Sequence, residues 1–263
     1  QEGDFVQTYT EKGFRGNDKE WESMCIPFGE DAKICLNGVI DRVDLCSLPG
    51  EKLIKIIDYK SSDSQDLLLA KVYYGLQMQL LTYLEAAKEM VEKEHEGKEA
   101  VPAAMLYYVI KEKNLDWKPE SEEEYEKRVL DIMKCKGYVN EEPEIIGHLD
   151  KSVVNGGELI PGQKSGVVPV AVDKKGLLKK NSGTLSTKDF ETLIAHTKEK
   201  MKECGKAILD GKIEAIPYVY EDNDGCTYCP YGSVCGHESK KDGVREMKKM
   251  SDDEVWEALY GDN

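Results

Sequence analysis

No apolar run in this chain reaches the roughly 18 residues that a membrane-spanning helix needs, and no signal peptide opens it. A soluble, cytoplasmic protein without a membrane partner is expected. Internal repeats are absent, which excludes a repeat architecture. A basic excess is missing as well: 36 Lys and Arg stand against 51 Asp and Glu, for a formal net charge of −15. That balance argues against a protein that coats nucleic acid through a basic face, although one basic channel can sit on an acidic body. The chain begins at Gln1 rather than Met, as a piece of a longer protein does. Its 263 residues suffice for one large domain or two small ones, with a proper core in either case.

Cysteine is not scarce: there are 8. Cys25, Cys35, Cys46, Cys135 and Cys204 are scattered through apolar surroundings and are expected as small core residues. Cys226, Cys229 and Cys235 fall close together, and clustered cysteines in a reducing compartment point to a metal before a disulfide.

Residues 33–41 (KICLNGVID) and 53–60 (LIKIIDYK) have strand character and are joined by a turn near Pro49-Gly50. Alternation places Ile54, Ile56, Asp58 and Lys60 on one face. Apolar residues at Leu76, Leu80, Tyr83, Leu84, Ala87 and Val91 predict a long helix from about Leu67 to Glu96, with Gln79 and Tyr83 on a shared face. Residues 104–110 (AMLYYVI) form a third strand candidate, apolar enough to be central. A charged helix is expected from Ser121, where Glu124 completes a capping-box pattern. Residues 137–186, rich in Gly and Lys and containing KKGLLKKNSG, suggest an irregular insertion whose lysines form a solvated face or a DNA clamp. An amphipathic helix over 187–210 turns Phe190, Leu193, Ile194, Met201 and Ile208 inward and stops at Gly211. A last short helix begins at Ser251, with Glu254 three residues on. The fold class is α/β or α+β.

Asp41 and Asp58 are expected at strand ends, with Lys60 beside them. Hard carboxylate oxygens suit Mg²⁺ or Mn²⁺, and such ions assist phosphodiester hydrolysis by polarising phosphate and acidifying water. Lys60 would orient that water or stabilise charge growing on phosphorus. The plainer alternative is that the two aspartates merely pair with Arg42 and Lys60 at a sheet edge.

The segments GVIDRVD, IIDYKS and YYGLQMQLLTYLEAA resemble the PD-(D/E)XK nuclease domain of the RecB type, with its Q-x₃-Y signature at Gln79 and Tyr83. With VPAAMLYYVIK, GKIEAIPY and CTYCPYGSVCG, the chain resembles more narrowly the nuclease domain of the AddB subunit of bacterial AddAB helicase–nucleases. The resemblance implies a restriction-endonuclease-like core, a central mixed sheet flanked by helices, followed by a C-terminal cysteine-cluster segment. It implies a single nuclease domain: a core at about 30–115, an insertion at about 116–186, and the helix and cysteine segment at 187–263. Asp41, Asp58 and the backbone carbonyl of Tyr59 would bind the divalent metal. Lys60 would be catalytic, and Gln79 and Tyr83 would support the site and the DNA. The partners implied are DNA, as double-strand ends and unwound single strand, and the AddA helicase–nuclease subunit. The implied role is cutting the 5′-terminated strand during recombinational double-strand break repair.

Cys226-x₂-Cys229-x₅-Cys235 suits zinc, with His237 as a fourth ligand, or an iron–sulfur cluster. The resemblance favours a [4Fe–4S] cluster whose fourth cysteine lies far upstream. The family also has a metal-binding histidine before the first aspartate, whereas the earliest histidine here is His95. An N-terminally truncated fragment is therefore expected, with an incomplete metal site and weak or absent activity on its own. Two alternatives remain at this point. One is a non-catalytic zinc- or iron–sulfur-stapled DNA-binding or structural module. The other is a CRISPR-associated iron–sulfur exonuclease, a class with shorter chains.

Overall fold

A computed structural model describes residues 3–16, 21–28, 32–61, 66–110, 121–122, 124–125, 129, 133–221, 223–237 and 243–261. Its centre is a mixed six-stranded sheet in the order β1-β4-β5-β6-β7-β10. The first strands are β1 (Val6–Phe14), β2 (Met24–Phe28), β3 (Ala32–Leu36), β4 (Gly38–Ser47) and β5 (Glu51–Lys60). Beyond them come α1 (Leu69–Tyr73), α2 (Gln79–Glu94), β6 (Glu99–Val109), β7 (Lys136–Asn140), α3 (Pro143–Leu149) and the small hairpin of β8 (Val154–Asn155) and β9 (Glu158–Leu159). After β10 (Thr184–Leu185) run α4 (Thr187–Leu209), β11 (Tyr218–Tyr220), β12 (Asn223–Asp224), α5 (Gly232–Cys235), β13 (Arg245–Met247) and α6 (Asp252–Gly261).

Strand β5 carries LIKII because both its faces are covered. Ile54 and Ile56 join the core under α2 and α4, together with Leu80, Leu84, Phe190 and Leu193. Leu53 and Ile57 join a second core with Val139 and with Ile145 and Ile146 of α3. β5 pairs antiparallel with β4 and parallel with β6, so it is central. Strand β6 is also interior, as its apolar sequence requires.

Several expectations need correction. The stretch 33–41 is two strands, broken at Asn37, because Asn-Gly is turn chemistry. Its first half pairs with β2, and its second half continues to Ser47 between β1 and β5. Asp41 therefore lies inside β4 and not at its end. The helix over 67–96 is two helices, because Gly75 takes φ +75° and ends α1. Gln77 closes the gap by accepting from Leu68 N at 2.9 Å and donating to Asp66 O at 3.0 Å. Residues 137–186 are not an irregular insertion, since β7 and β10 extend the main sheet and α3 covers it. Cys25 and Cys35 are exposed, face each other across the β2–β3 hairpin and form a disulfide, while Cys204 is exposed. Only Cys46 and Cys135 of the scattered five are core residues. Ile208 is 76% exposed, on the outer side of the last turn of α4.

Other expectations hold. Ser186 and Asp189 form a capping box that starts α4, and Ser251 with Glu254 does the same for α6. Ser121 Oγ accepts from Glu124 N at 3.2 Å, while much of the helix expected there lies outside the described residues.

Gly137 sits in β7 at φ +127°, and a Cβ there would stand 2.3 Å from Met105 O. Gly137→Ala is therefore expected to destabilise the domain by about 2–3 kcal/mol, combining backbone strain with a clash that a main-chain atom cannot evade. Urea unfolding of the variant beside the parent measures it.

Candidate active site

The antiparallel pairing of β4 and β5 stops at Arg42↔Ile57, one residue short of both aspartates. There the Asp41 carboxylate replaces a backbone partner, accepting from Tyr59 N at 2.8 Å. Ile40 and Val43 both enter the core under α2, so simple alternation is interrupted around Asp41. Asp58 is 2% exposed, and its Oδ2 lies 2.6 Å from Lys60 Nζ. That oxygen accepts no well-aligned hydrogen bond, so an ion pair is its principal contact.

From Lys60 a chain of contacts runs into α2. Lys60 Nζ donates to Gln79 Oε1 at 2.9 Å, and Gln79 Nε2 donates to the Tyr83 hydroxyl at 2.9 Å. Gln79 is the first residue of α2, so the helix break at Gly75 also sets the height of this amide over β5. Tyr83 is held edge-on by Phe14 at 6.0 Å between ring centroids. Gly38 leaves room for this contact, since a Cβ there would come within 2.6 Å of the Phe14 ring. The Lys60 ammonium also lies 5.3 Å from the centroid of Tyr107, a cation–π arrangement.

Burial pushes the Asp58 carboxyl above its ordinary value, Lys60 opposes that, and the Asp41 charge adds to it. Tyr107 is pushed up to about 12 by burial and then by Asp58 and Tyr83, so it is a neutral wall of the site. Arg42 does not pair with Asp41. Its guanidinium forks onto Asp44 at 2.7 and 2.9 Å, and Lys55 reaches the same carboxylate at 2.9 Å. Of the pairings in the sheet-edge alternative, only Asp58–Lys60 forms, leaving two carboxylates served by one ammonium. That donor set, hard oxygens with one buried acceptor lacking an aligned donor, fits a divalent ion.

All five side chains singled out from the sequence, Asp41, Asp58, Lys60, Gln79 and Tyr83, therefore meet in one place. The sequence pattern missed Tyr107 and Phe14. Tyr107 could have been found by sheet register, because it stands opposite Asp58.

The cysteine segment is different. Asp224 Oδ1 accepts from Cys226 N and Thr227 N, shaping the loop, and Cys226, Cys229 and Cys235 are all exposed. Burial first, then Asp224 and the other two thiols, raises the Cys226 thiol. Among the described residues, however, no three His, Cys, Asp or Glu side chains come together in a way that could hold a metal ion. The thiols have the right chemistry for zinc or iron–sulfur, but as placed they do not close around either.

A mixed sheet that presents two carboxylates and a lysine, braced by a glutamine and a tyrosine from the next helix, defines a nuclease fold. Residues 3–236 match the PD-(D/E)XK nuclease superfamily, and the chain belongs to it. The chain is 36% identical over 233 residues to the B-type subunit of the ATP-dependent helicase/deoxyribonuclease of Lachnoclostridium phytofermentans, covering 87% of this chain and 20% of that one. It is 33% identical over 258 residues to the same subunit of Thermoanaerobacter sp. (strain X514), covering 97% and 21%. With that of Clostridium botulinum (strain Loch Maree / Type A3) it shares 34% over 264 residues, covering 98% and 22%. The chain thus spans about a fifth of the length of these curated relatives. No helix among the described residues is long and apolar enough to cross a membrane.

Proposed function

We propose that this chain is the metal-dependent deoxyribonuclease domain of an AddAB-type helicase–nuclease, working in the cytoplasm on DNA that an AddA helicase–nuclease partner helps to unwind during double-strand break repair. The observation that carries it is Asp58: a buried carboxylate, raised by burial, placed beside a second carboxylate and a single lysine. Such a group costs stability, so it is poor support for a purely structural role. The similarity to three deoxyribonuclease subunits supports DNA as the substrate.

In this proposal Asp41, Asp58 and the Tyr59 carbonyl hold a Mg²⁺ or Mn²⁺ ion. When bound, such an ion polarises the scissile phosphodiester and lowers the pKa of water. Asp58 must be ionised to act as a ligand, and the Lys60 ammonium favours that state. Lys60 then supplies a fixed positive charge at a partly dry site, where charge developing on phosphate is stabilised most. Gln79, braced by Tyr83, keeps that ammonium aimed. Closing Cys226, Cys229 and Cys235 around zinc or a [4Fe–4S] cluster would need the loop to rearrange, and no step of the hydrolysis is assigned to it.

Calorimetric titration of Mn²⁺ into the chain and into its Asp58→Ala variant tests the proposal. Binding by the parent that is lost in the variant is the expected outcome, and equal binding by both would sink it. The brace has its own consequence. Gln79→Ala should lower the rate on single-stranded DNA about tenfold, the worth of one hydrogen bond to a charged group, with Mn²⁺ affinity unchanged.

A further inference from the structure

Beside the candidate centre lies a cleft of about 930 Å³, bounded by β7 and by the loops at 164–171 and 180–183. Its walls bring together Lys134, Lys136, Lys164 and Lys180, the last from the KKGLLKKNSG segment. Asp66, Glu124 and Asp252 line it too, so four ammonium groups face three carboxylates. On a chain of net charge −15, that makes the cleft locally favourable ground for an anion.

The sheet register ties this cleft to the site. Asp58 stands opposite Tyr107, and Tyr107 stands opposite Lys136, so the three lie in one row across β5, β6 and β7. Adjacent strands are about 4.8 Å apart, which puts the Lys136 backbone roughly 10 Å from that of Asp58. Directly opposed residues share a face, so Lys136 projects on the same side as Asp58.

Two of the cleft lysines pair with acids, and loosely. Lys136 pairs with Asp66 at 2.7 Å and Lys180 with Asp253 at 3.3 Å, with side-chain exposures of 40% and 63% in the first pair and 92% and 84% in the second. Exposed pairs of this kind contribute little and exchange readily for another anion. Tyr138 adds an aromatic surface on which a base can stack.

We propose that this cleft is a phosphate track that lays a single DNA strand beside Asp58 and Lys60. The inference rests on the nuclease proposal above and locates its substrate. The test is fluorescence anisotropy of a short fluorescein-labelled oligothymidylate, without divalent ion so that nothing is cut, over a series of NaCl concentrations. Each phosphate contact removed lowers the slope of log K against log salt by about 0.7 for single strands. The double variant Lys136→Gln/Lys180→Gln should therefore bind more weakly, with a slope smaller by about 1.4. The double variant Lys33→Gln/Lys52→Gln removes equal charge from the β2–β3 hairpin and the far end of β5, and should match the parent. An unchanged slope in the cleft variant, an equal loss in the control, or no binding by the parent would each overturn the track. The nuclease proposal fails by a separate readout: if Asp58→Asn still binds Mn²⁺ like the parent, that proposal falls whatever the slopes show.

Discussion

Asp58→Asn is expected to abolish divalent-ion binding and hydrolysis while making the ion-free domain more stable at neutral pH. Loss of a ligand should weaken Mn²⁺ by more than the roughly 10–100-fold seen when only a supporting group is removed. The stability gain follows from the direction of the Asp58 shift. Burial, opposed by Lys60, raises its carboxyl above the ordinary 3.8 in the folded state. A carboxyl whose folded pKa is raised stabilises the fold while protonated, and that contribution is lost as pH rises through the folded value. At neutral pH the ionised parent bears the cost of an under-solvated charge, and Asn does not. The difference in melting temperature should therefore favour the variant at neutral pH and shrink toward zero below about pH 3.8. Saturating Mn²⁺ should reverse the order at neutral pH, because a ligand at 100 times its Kd adds about 2.7 kcal/mol to the parent alone. A parent that melts higher without metal would show that Asp58 holds the sheet together instead.

That stability cost explains why the site was easier to find in the sequence than the surrounding fold. Asp58 ends an otherwise apolar strand, LIKII, and a charge in that position violates strand patterning without a local reason. Gln79 and Tyr83 were legible because a four-residue helical spacing is a local rule, and the structure turns it into a hydrogen bond. Capping at Ser186 and Ser251 was local for the same reason. What escaped was non-local or depended on single residues. Two breaks, at Asn37 and Gly75, interrupt stretches whose apolar periodicity continues across them. Strand β7, KGYVN, is short and contains a glycine, so it carries no strand signature of its own. It exists because β6 offers it backbone partners from Ala104 to Tyr107. The Cys25–Cys35 pair depends on hairpin register, which sets the two cysteines opposite each other. Lys60 to Gln79 is a contact between a strand and a helix that no spacing rule encodes.

Lys60→Ala should separate the lysine's two jobs. As the fixed positive charge of the site, its loss should lower the rate on single-stranded DNA with Mn²⁺ by about 10²–10³-fold, or about 2.7–4 kcal/mol, the usual cost of removing one preorganised electrostatic donor. As the partner of Asp58 at 2.6 Å, it also holds that carboxyl down. Without it burial acts unopposed, the folded Asp58 pKa rises further, and protons compete with the metal over a higher pH range. The pH midpoint of Mn²⁺ binding by calorimetry should therefore move upward in Lys60→Ala, while affinity well above that midpoint stays near the parent's. Gln79→Ala serves as the control, since it leaves the Asp58–Lys60 pair in place and should lower the rate without moving the midpoint. If the Lys60→Ala midpoint stays fixed while the rate falls, Lys60 acts on the substrate alone. If the midpoint moves and the rate at high pH recovers fully, its contribution is only to keep Asp58 ionised.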